Sequence, residues 1–119
     1  MDRDGFRRGI ELFNLGEFFE AHEALEDVWR AAPPAEKKFL QGLIQVAVAL
    51  HHHSTGNLVG ARSLLARGAR NLKGYPATFA GIELTSLLGV LAQWGSSLND
   101  NADPPPPPRL DLPEIGSDR

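Results

Sequence analysis

The sequence predicts an all-α protein, a five-helix bundle built from two stacked helical hairpins and a C-terminal closing helix. Apolar residues recur at helical spacing along most of the chain. Glycine and proline residues interrupt this periodicity where turns are needed. Because no stretch combines strict alternation with β-branched residues, we expect no sheet. We also expect one helical domain over residues 1–98.

The breaks in periodicity divide this domain into five helices. They are expected over residues 4–14, 17–32, 35–55, 57–73 and 81–98. Pro33 and Pro34 end the second helix, since proline cannot continue one. Gly56 ends the third as a C-terminal cap, and Asn57 caps the start of the fourth.

A weak internal repeat supports the two hairpins. Residues 16–21, with glycine first, an apolar residue third and alanine sixth, align with residues 56–61 in the same pattern. The pattern resembles the second helix of a tetratricopeptide unit, where glycine permits the tight turn and alanine permits close packing. Two copies are too few for a solenoid, which needs about three repeats.

Residues 99–119 are different in composition and contain five consecutive prolines. Such a run favours an extended polyproline II segment, which cannot join the bundle as a helix. One interpretation is a solvated, partly disordered tail. The other is a ligand for a groove, in a partner or in a neighbouring copy, with Leu110, Leu112 and Ile115 as anchors.

Composition excludes several classes of protein. The 119-residue chain contains no cysteine, which excludes thiol nucleophiles, disulfides and cysteine zinc sites. The N-terminus has no apolar signal-peptide core. No run approaches the ~18 apolar residues that span a bilayer. We therefore expect a soluble cytoplasmic protein that does not contact the membrane.

The basic residues between positions 57 and 98 lie in one segment. Residues 57–98 carry four basic groups and one acidic group; the basic groups are Arg62, Arg67, Arg70 and Lys73. A solvated helix face is the simplest interpretation, and anion or nucleic-acid binding is the weaker alternative. We expect a protein partner or self-association instead. The last helix, with Glu83 as its one charged residue, suggests a homodimer.

A polar group is predicted between the second and third helices. His22 lies within the apolar stripe of its helix, and Glu26 lies at the flank of that stripe. On the third helix Gln41, Gln45 and His52 share one side. Since buried polar groups need partners, we expect these five residues to form one partly buried cluster.

Three interpretations of this cluster stay open. It is a structural network that fixes helix register, a divalent metal site, or an acid–base pair in which Glu26 tunes His22. His22, Glu26 and His52 would be the ligands of zinc, iron or manganese. The spacing is not that of His-Glu-x-x-His, so metalloprotease chemistry has no support. Of the three consecutive histidines, His52 is chosen because it lies on the polar stripe.

Glycines within predicted helices indicate close helix approach, since each costs about 1 kcal/mol of helix propensity relative to alanine. These are Gly42, Gly60, Gly68, Gly81, Gly89 and Gly95. Gly42 lies beside Gln45, so it would let another helix come near the polar stripe.

The chain resembles a small bacterial, archaeal and plastid family known as domain of unknown function 309, over about residues 6–76. The first part of the family signature falls on Phe13, Asn14, Phe18, Phe19, His22, Glu23, Glu26 and Trp29. The second part falls on Gln41, Gly42, Ile44, Gln45, Ala47, His52, Gly56, Asn57 and Ala61. We take Asn14, Gly16, Trp29, Gly42, Gly56 and Asn57 as structural. The resemblance implies an all-α bundle and assigns no activity.

The predicted function is therefore a cytoplasmic helical binding or scaffold module with a buried polar cluster. The alternative is a metal-dependent or acid–base enzyme, hydrolase-like, using His22, Glu26 and His52. The two differ in one feature, because an enzyme needs a solvent-reachable pocket at the cluster and a structural network is closed.

Overall fold

Five helices account for most of the computed structural model, which describes residues 1–112. They are α1 (Arg3–Asn14), α2 (Phe18–Ala31), α3 (Pro34–Ser54), α4 (Leu58–Leu72) and α5 (Leu84–Asn99). The predicted all-α class and the number of helices are confirmed. None of the described helices is long and apolar enough to cross a membrane.

The helices pack in chain order, each against the next, so α1–α2 and α3–α4 form two hairpins and α5 covers α4. The two hairpins share one core. The ring of Phe6 in α1 lies 5.9 Å from that of Phe39 near the start of α3. Fully buried side chains of that core include Ile10, Phe13, Leu25, Phe39, Leu40, Leu43 and Leu72.

The turns after α1 and α3 have the same geometry. Gly16 and Gly56 adopt φ values of 81° and 84°, the left-handed conformation that favours glycine. The amide of Glu17 donates to the carbonyl of Leu12, and the amide of Asn57 donates to that of His52, at 2.9 and 2.8 Å. This bond closes a helix end in the Schellman manner. The sequence repeat is thus a repeat of turn structure.

α3 and α4 approach most closely at two glycines. A Cβ added to Gly42 would lie 2.8 Å from Leu72 Cγ, and one added to Gly68 would lie 2.9 Å from the carbonyl oxygen of Gly42. Both glycines therefore serve the close approach predicted for them. A Cβ at Gly89 or Gly95 would meet nothing within 4 Å, so for these two the prediction is wrong.

A short hairpin precedes α5, contrary to the prediction of no sheet. β1 (Thr78–Phe79) pairs with β2 (Ile82–Glu83) in antiparallel register. Ala80 and Gly81 join them with φ values of 52° and 82°. Two consecutive left-handed residues make a tight hairpin turn and cannot begin a helix. For this reason α5 begins at Leu84 and not at Gly81.

The chain beyond α5 has no helix or strand over residues 102–112 and lies against the helices. Trp94 Nε1 donates to the carbonyl of Pro106 at 3.3 Å. Farther along, Leu110 is buried and bonded to Asn14. Of the predicted anchors, Leu110 and Leu112 lie within the described residues and Ile115 lies outside them.

Candidate functional site

His22 has local partners within its own helix. Its Nδ1 lies 2.7 Å from the carbonyl oxygen of Phe19, so this nitrogen carries the hydrogen and donates. Its Nε2 lies 3.7 Å from Glu26 Oε1, which makes an ion pair when the ring is protonated. The Glu26 side chain is 43% exposed. The His22 side chain is 17% exposed, so the histidine is half-buried while its partner carboxylate reaches solvent.

Two residues of the polar stripe of α3, Gln45 and His52, bond to α4 and its N-cap residue. Asn71 Nδ2 donates to Gln45 Oε1 at 2.8 Å. Asn57 Nδ2 donates to His52 Nδ1 at 3.3 Å, while Asn57 Oδ1 accepts from the amide of Gly60 and so caps α4. These bonds satisfy the stripe across the α3–α4 hairpin.

The expected cluster of His22, Glu26, Gln41, Gln45 and His52 is therefore not formed. Gln41 is exposed, Gln45 and His52 bond to α4, and His22 bonds within α2. Within residues 1–112 no polar or charged residue lies in the fully buried core. Gly42 and Gln45 share the α3 face on which α4 packs, which directs Gln45 toward α4.

The divalent metal hypothesis finds no support in the same geometry. His22 and His52 have separate partners, on α2 and on the α3–α4 turn. In the part of the chain that the structure describes, no group of three or more His, Asp or Glu side chains is arranged to hold a metal ion. The proposed ligands His22, Glu26 and His52 thus do not form a site together.

Phe19 brings together two histidines that the sequence did not pair. Its ring centroid lies 4.9 Å from that of His22 on α2 and 5.3 Å from that of His51 on α3. The sequence favours His52 over His51 because His52 shares a stripe with Gln45. The available signal was the adjacent pair Phe18 and Phe19, since neighbouring residues on a helix cannot both face the core.

Large apolar side chains are exposed at this end of the bundle. They are Leu15 (72%), Phe19 (46%), Leu58 (41%) and Val59 (74%). All four lie in or next to the two equivalent turns, which the Phe19–His51 contact joins. We call these four residues the turn face.

An acidic rim borders the turn face along α2. Residues 14–28 contain five acidic residues and no lysine or arginine. Residues 48–61 contain no aspartate, glutamate, lysine or arginine. The acidic rim consists of Glu17, Glu20 and Glu23, the acidic residues of α2 and its N-cap nearest the turn, and all three are exposed. The rim is therefore a local negative charge without a basic partner from either turn segment.

Comparison with known proteins places the chain in a family. A family profile described as "Domain of unknown function (DUF309)" matches residues 6–64. The crystal structure of a conserved hypothetical protein from Thermus thermophilus is similar to the chain at 33% identity and a TM-score of 0.63, covering 77% of this chain and 93% of that one.

The chain belongs to the DUF309 family.

Two curated relatives of this DUF309 protein are longer. The "Uncharacterized protein YpuF" of Bacillus subtilis (strain 168) is 42% identical over 65 residues, which are 54% of this chain and 37% of YpuF. An "Uncharacterized protein" of Aquifex aeolicus (strain VF5) is 34% identical over 82 residues, 68% of this chain and 25% of the relative. The matched residues thus cover about a third of YpuF and a quarter of the Aquifex aeolicus relative.

The signature residues of the DUF309 protein have visible structural tasks. Gly16 and Gly56 form the turns after α1 and α3, and Asn57 caps α4. Gly42 allows α4 to pack closely against α3. Trp29 packs under the Lys37 ammonium, whose Nζ lies 4.2 Å from the ring centroid and also donates to the Trp29 carbonyl. This contact connects the end of α2 with the first turn of α3.

The basic residues of the DUF309 protein lie on the outer side of α4. Arg62, Arg67, Arg70 and Lys73 are all exposed. Arg62 donates to the carbonyl of Leu98 at 3.2 Å, near the end of α5, where a cation is favourable. At least one of the four thus has a partner within the fold.

Proposed function

We propose that the chain is a helical protein-binding module whose contact surface is the turn face. The observation that carries this proposal is the presence of four exposed apolar side chains in two turns of matching backbone geometry, which the Phe19–His51 contact joins. Scattered apolar residues are normal on a surface, whereas a contiguous apolar patch with a polar border is typical of an interaction site.

The partner is a protein segment that carries apolar anchors and lysine or arginine. The apolar anchors would contact Leu15, Phe19 and Val59. The positive charges would face the acidic rim, whose residues have no basic neighbour in the turn segments. Complementary charge of this kind raises association rate and specificity more than affinity. A nucleic acid would be repelled by the same rim.

Two finer features belong to the same proposal. The hairpins stack in the manner of tetratricopeptide units, which the repeated glycine turns and the buried alanines Ala21 and Ala61 support. The module acts in the cytoplasm, which the absence of cysteine supports.

Self-association through α5 is a second candidate, favoured by the character of its outer side. The exposed residues of this helix are uncharged: Thr85, Ser86, Gly89, Ala92, Gln93, Ser96 and Asn99. Sedimentation velocity tests it, because Ala92→Arg would convert a dimer into a monomer. A wild-type chain that sediments as a monomer at high concentration contradicts the candidate.

A displayed peptide library tests the main proposal. Peptides are selected on wild-type protein, and their affinities are then measured for wild type, Leu15→Asp and Val59→Asp. We expect selected peptides to combine apolar residues with lysine or arginine, and each substitution to weaken binding at least about tenfold, as for a central anchor. Binding should also weaken as salt is raised.

Ala35→Asp is the matched control. Ala35 is exposed at the first turn of α3, 16 residues from His51, hence about 24 Å along the helix. An aspartate there suits the helix N-terminus. If Ala35→Asp and Val59→Asp weaken peptide binding equally, or neither does, the turn face is not the contact surface.

A further inference from the structure

Residues 104–112, which we call the strap, run in extended form across the bundle. Within the strap, Pro108 and Leu110 are buried while Pro107, Arg109 and Asp111 are exposed. Alternate residues of an extended chain point to opposite sides, so this pattern is that of a peptide lying in a groove. The sequence alone suggests a solvated tail, or a ligand for a groove in a partner or a neighbouring copy, and does not indicate a groove in the same chain.

Asn14 binds the strap backbone at two points. Its Nδ2 donates to the carbonyl of Leu110 and its Oδ1 accepts from the amide of Leu110, both at 2.8 Å. The side-chain amide thereby takes the place of one residue of a neighbouring strand. Such a pair of hydrogen bonds binds an extended main chain independently of the side chains that the main chain carries.

Trp94 provides a second polar contact to the strap. Its indole Nε1 donates to the carbonyl of Pro106 at 3.3 Å. Prolines have no amide hydrogen, so carbonyls are the only backbone groups that the run 104–108 offers. Recognition of proline-rich segments by aromatic grooves uses the preformed extended backbone in the same way.

The groove has room beside the strap. A cavity lies between the strap and the junction of β2 with α5, lined there by Ile82 and Glu83 of β2 and by Ser86, Leu87 and Val90 of α5. The strap supplies Pro108 to Asp111 on the other side. A ligand with a side chain larger than leucine at this place could therefore enter the same groove.

We propose that Asn14, Trp94 and the apolar pocket of Leu110 form a peptide-binding site that this chain fills with its own strap. The ligand class is an extended segment with a proline, one variable residue and a leucine, preceded by further prolines. A partner peptide of this class displaces the strap. Tethering gives the strap a high effective concentration, so the intact chain binds such a peptide weakly. The site shares no residue with the turn face, so each can be tested without the other.

The test uses the full chain with Leu110→Asp, which disfavours strap docking, and a fluorescent synthetic peptide of residues 103–112. Fluorescence anisotropy should show saturable binding to Leu110→Asp. Binding should be at least about tenfold weaker to wild type, where the strap competes. It should be weaker by a similar factor in the double variant Leu110→Asp, Asn14→Ala, which lacks both bonds to the peptide backbone. A peptide with Leu110→Asp should not bind.

Indole NMR signals provide the structural readout. In Leu110→Asp the Trp94 Nε1–H signal should move and then return toward its wild-type position as peptide is added, while the Trp29 signal stays in place and reports an intact fold. Leu110→Ser is the milder variant if Leu110→Asp disturbs the Trp29 signal. The proposal is overturned if the folded variants bind no peptide, or if Asn14→Ala leaves the affinity unchanged.

Discussion

At the scale of single residues, His22 shows that a helical wheel can predict the direction of a side chain correctly without predicting its hydrogen-bond partners. It lies on the inner flank of α2, yet its two ring nitrogens face Phe19 and Glu26 of the same helix. Partners one turn away satisfy it without any contribution from α3. The periodicity of one helix carries no information about such local bonds.

The exposed carboxylate of this pair leads to a stability prediction. Glu26→Gln should change the free energy of unfolding by no more than about 0.5 kcal/mol, because exposed ion pairs contribute little. Urea denaturation measures it. A loss above about 2 kcal/mol would instead indicate the buried network that the sequence suggested.

Asn14 leads to a prediction about local opening of the strap. Asn14→Ala removes both bonds to Leu110, so trypsin should cleave after the exposed Arg109 about tenfold faster than in wild type. Asn71→Ala, which removes the bond to Gln45 in the α3–α4 hairpin, is the control and should leave that rate unchanged. Equal cleavage of Asn14→Ala and wild type would mean that these bonds do not hold the strap.

At the scale of helices and strands, the sequence predicted four of the five helices to within one residue at either end. The exception is the start of α5. There the local conformation depends on left-handed Ala80 and Gly81. Alanine rarely adopts that conformation, so an alanine at position 80 does not predict a turn.

The α3–α4 contact explains why Gln45 of the predicted polar cluster bonds to α4. Gly42 and Gln45 are three residues apart and share a helix face. The sequence suggested that some helix would approach Gly42, and that helix is α4. Once α4 packs there, Gln45 meets Asn71. The identity of the approaching helix depends on tertiary packing, which the periodicity of α3 does not contain.

The glycines of this contact lead to a second stability prediction. Gly42→Ala and Gly68→Ala should each lower the free energy of unfolding by about 1–3 kcal/mol, since the new methyl overlaps Leu72 or the backbone of α3. Gly89→Ala is the control. Its methyl meets nothing within 4 Å, so it should be neutral or stabilise by up to about 1 kcal/mol. Denaturation midpoints that fall equally in all three variants would refute the close approach.

At the scale of the whole molecule, the turn face exists because two equivalent turns end up side by side. Each turn alone exposes two large apolar side chains, which is ordinary. The sequence repeat predicted that the turns are alike. It could not show that α2 and α3 bring them to one end, with Phe19 against His51. The candidate site is thus a property of the assembled hairpins.

The decisive measurement for the turn face is an NMR footprint of a library-selected peptide on the wild-type chain. Amide signals of residues 15–22 and 51–60 should shift on binding, and those at the start of α3 should not. The shifts should vanish with Val59→Asp. Shifts confined to the outer side of α5 or to the basic side of α4 would contradict the proposal that this module binds its partner through the turn face.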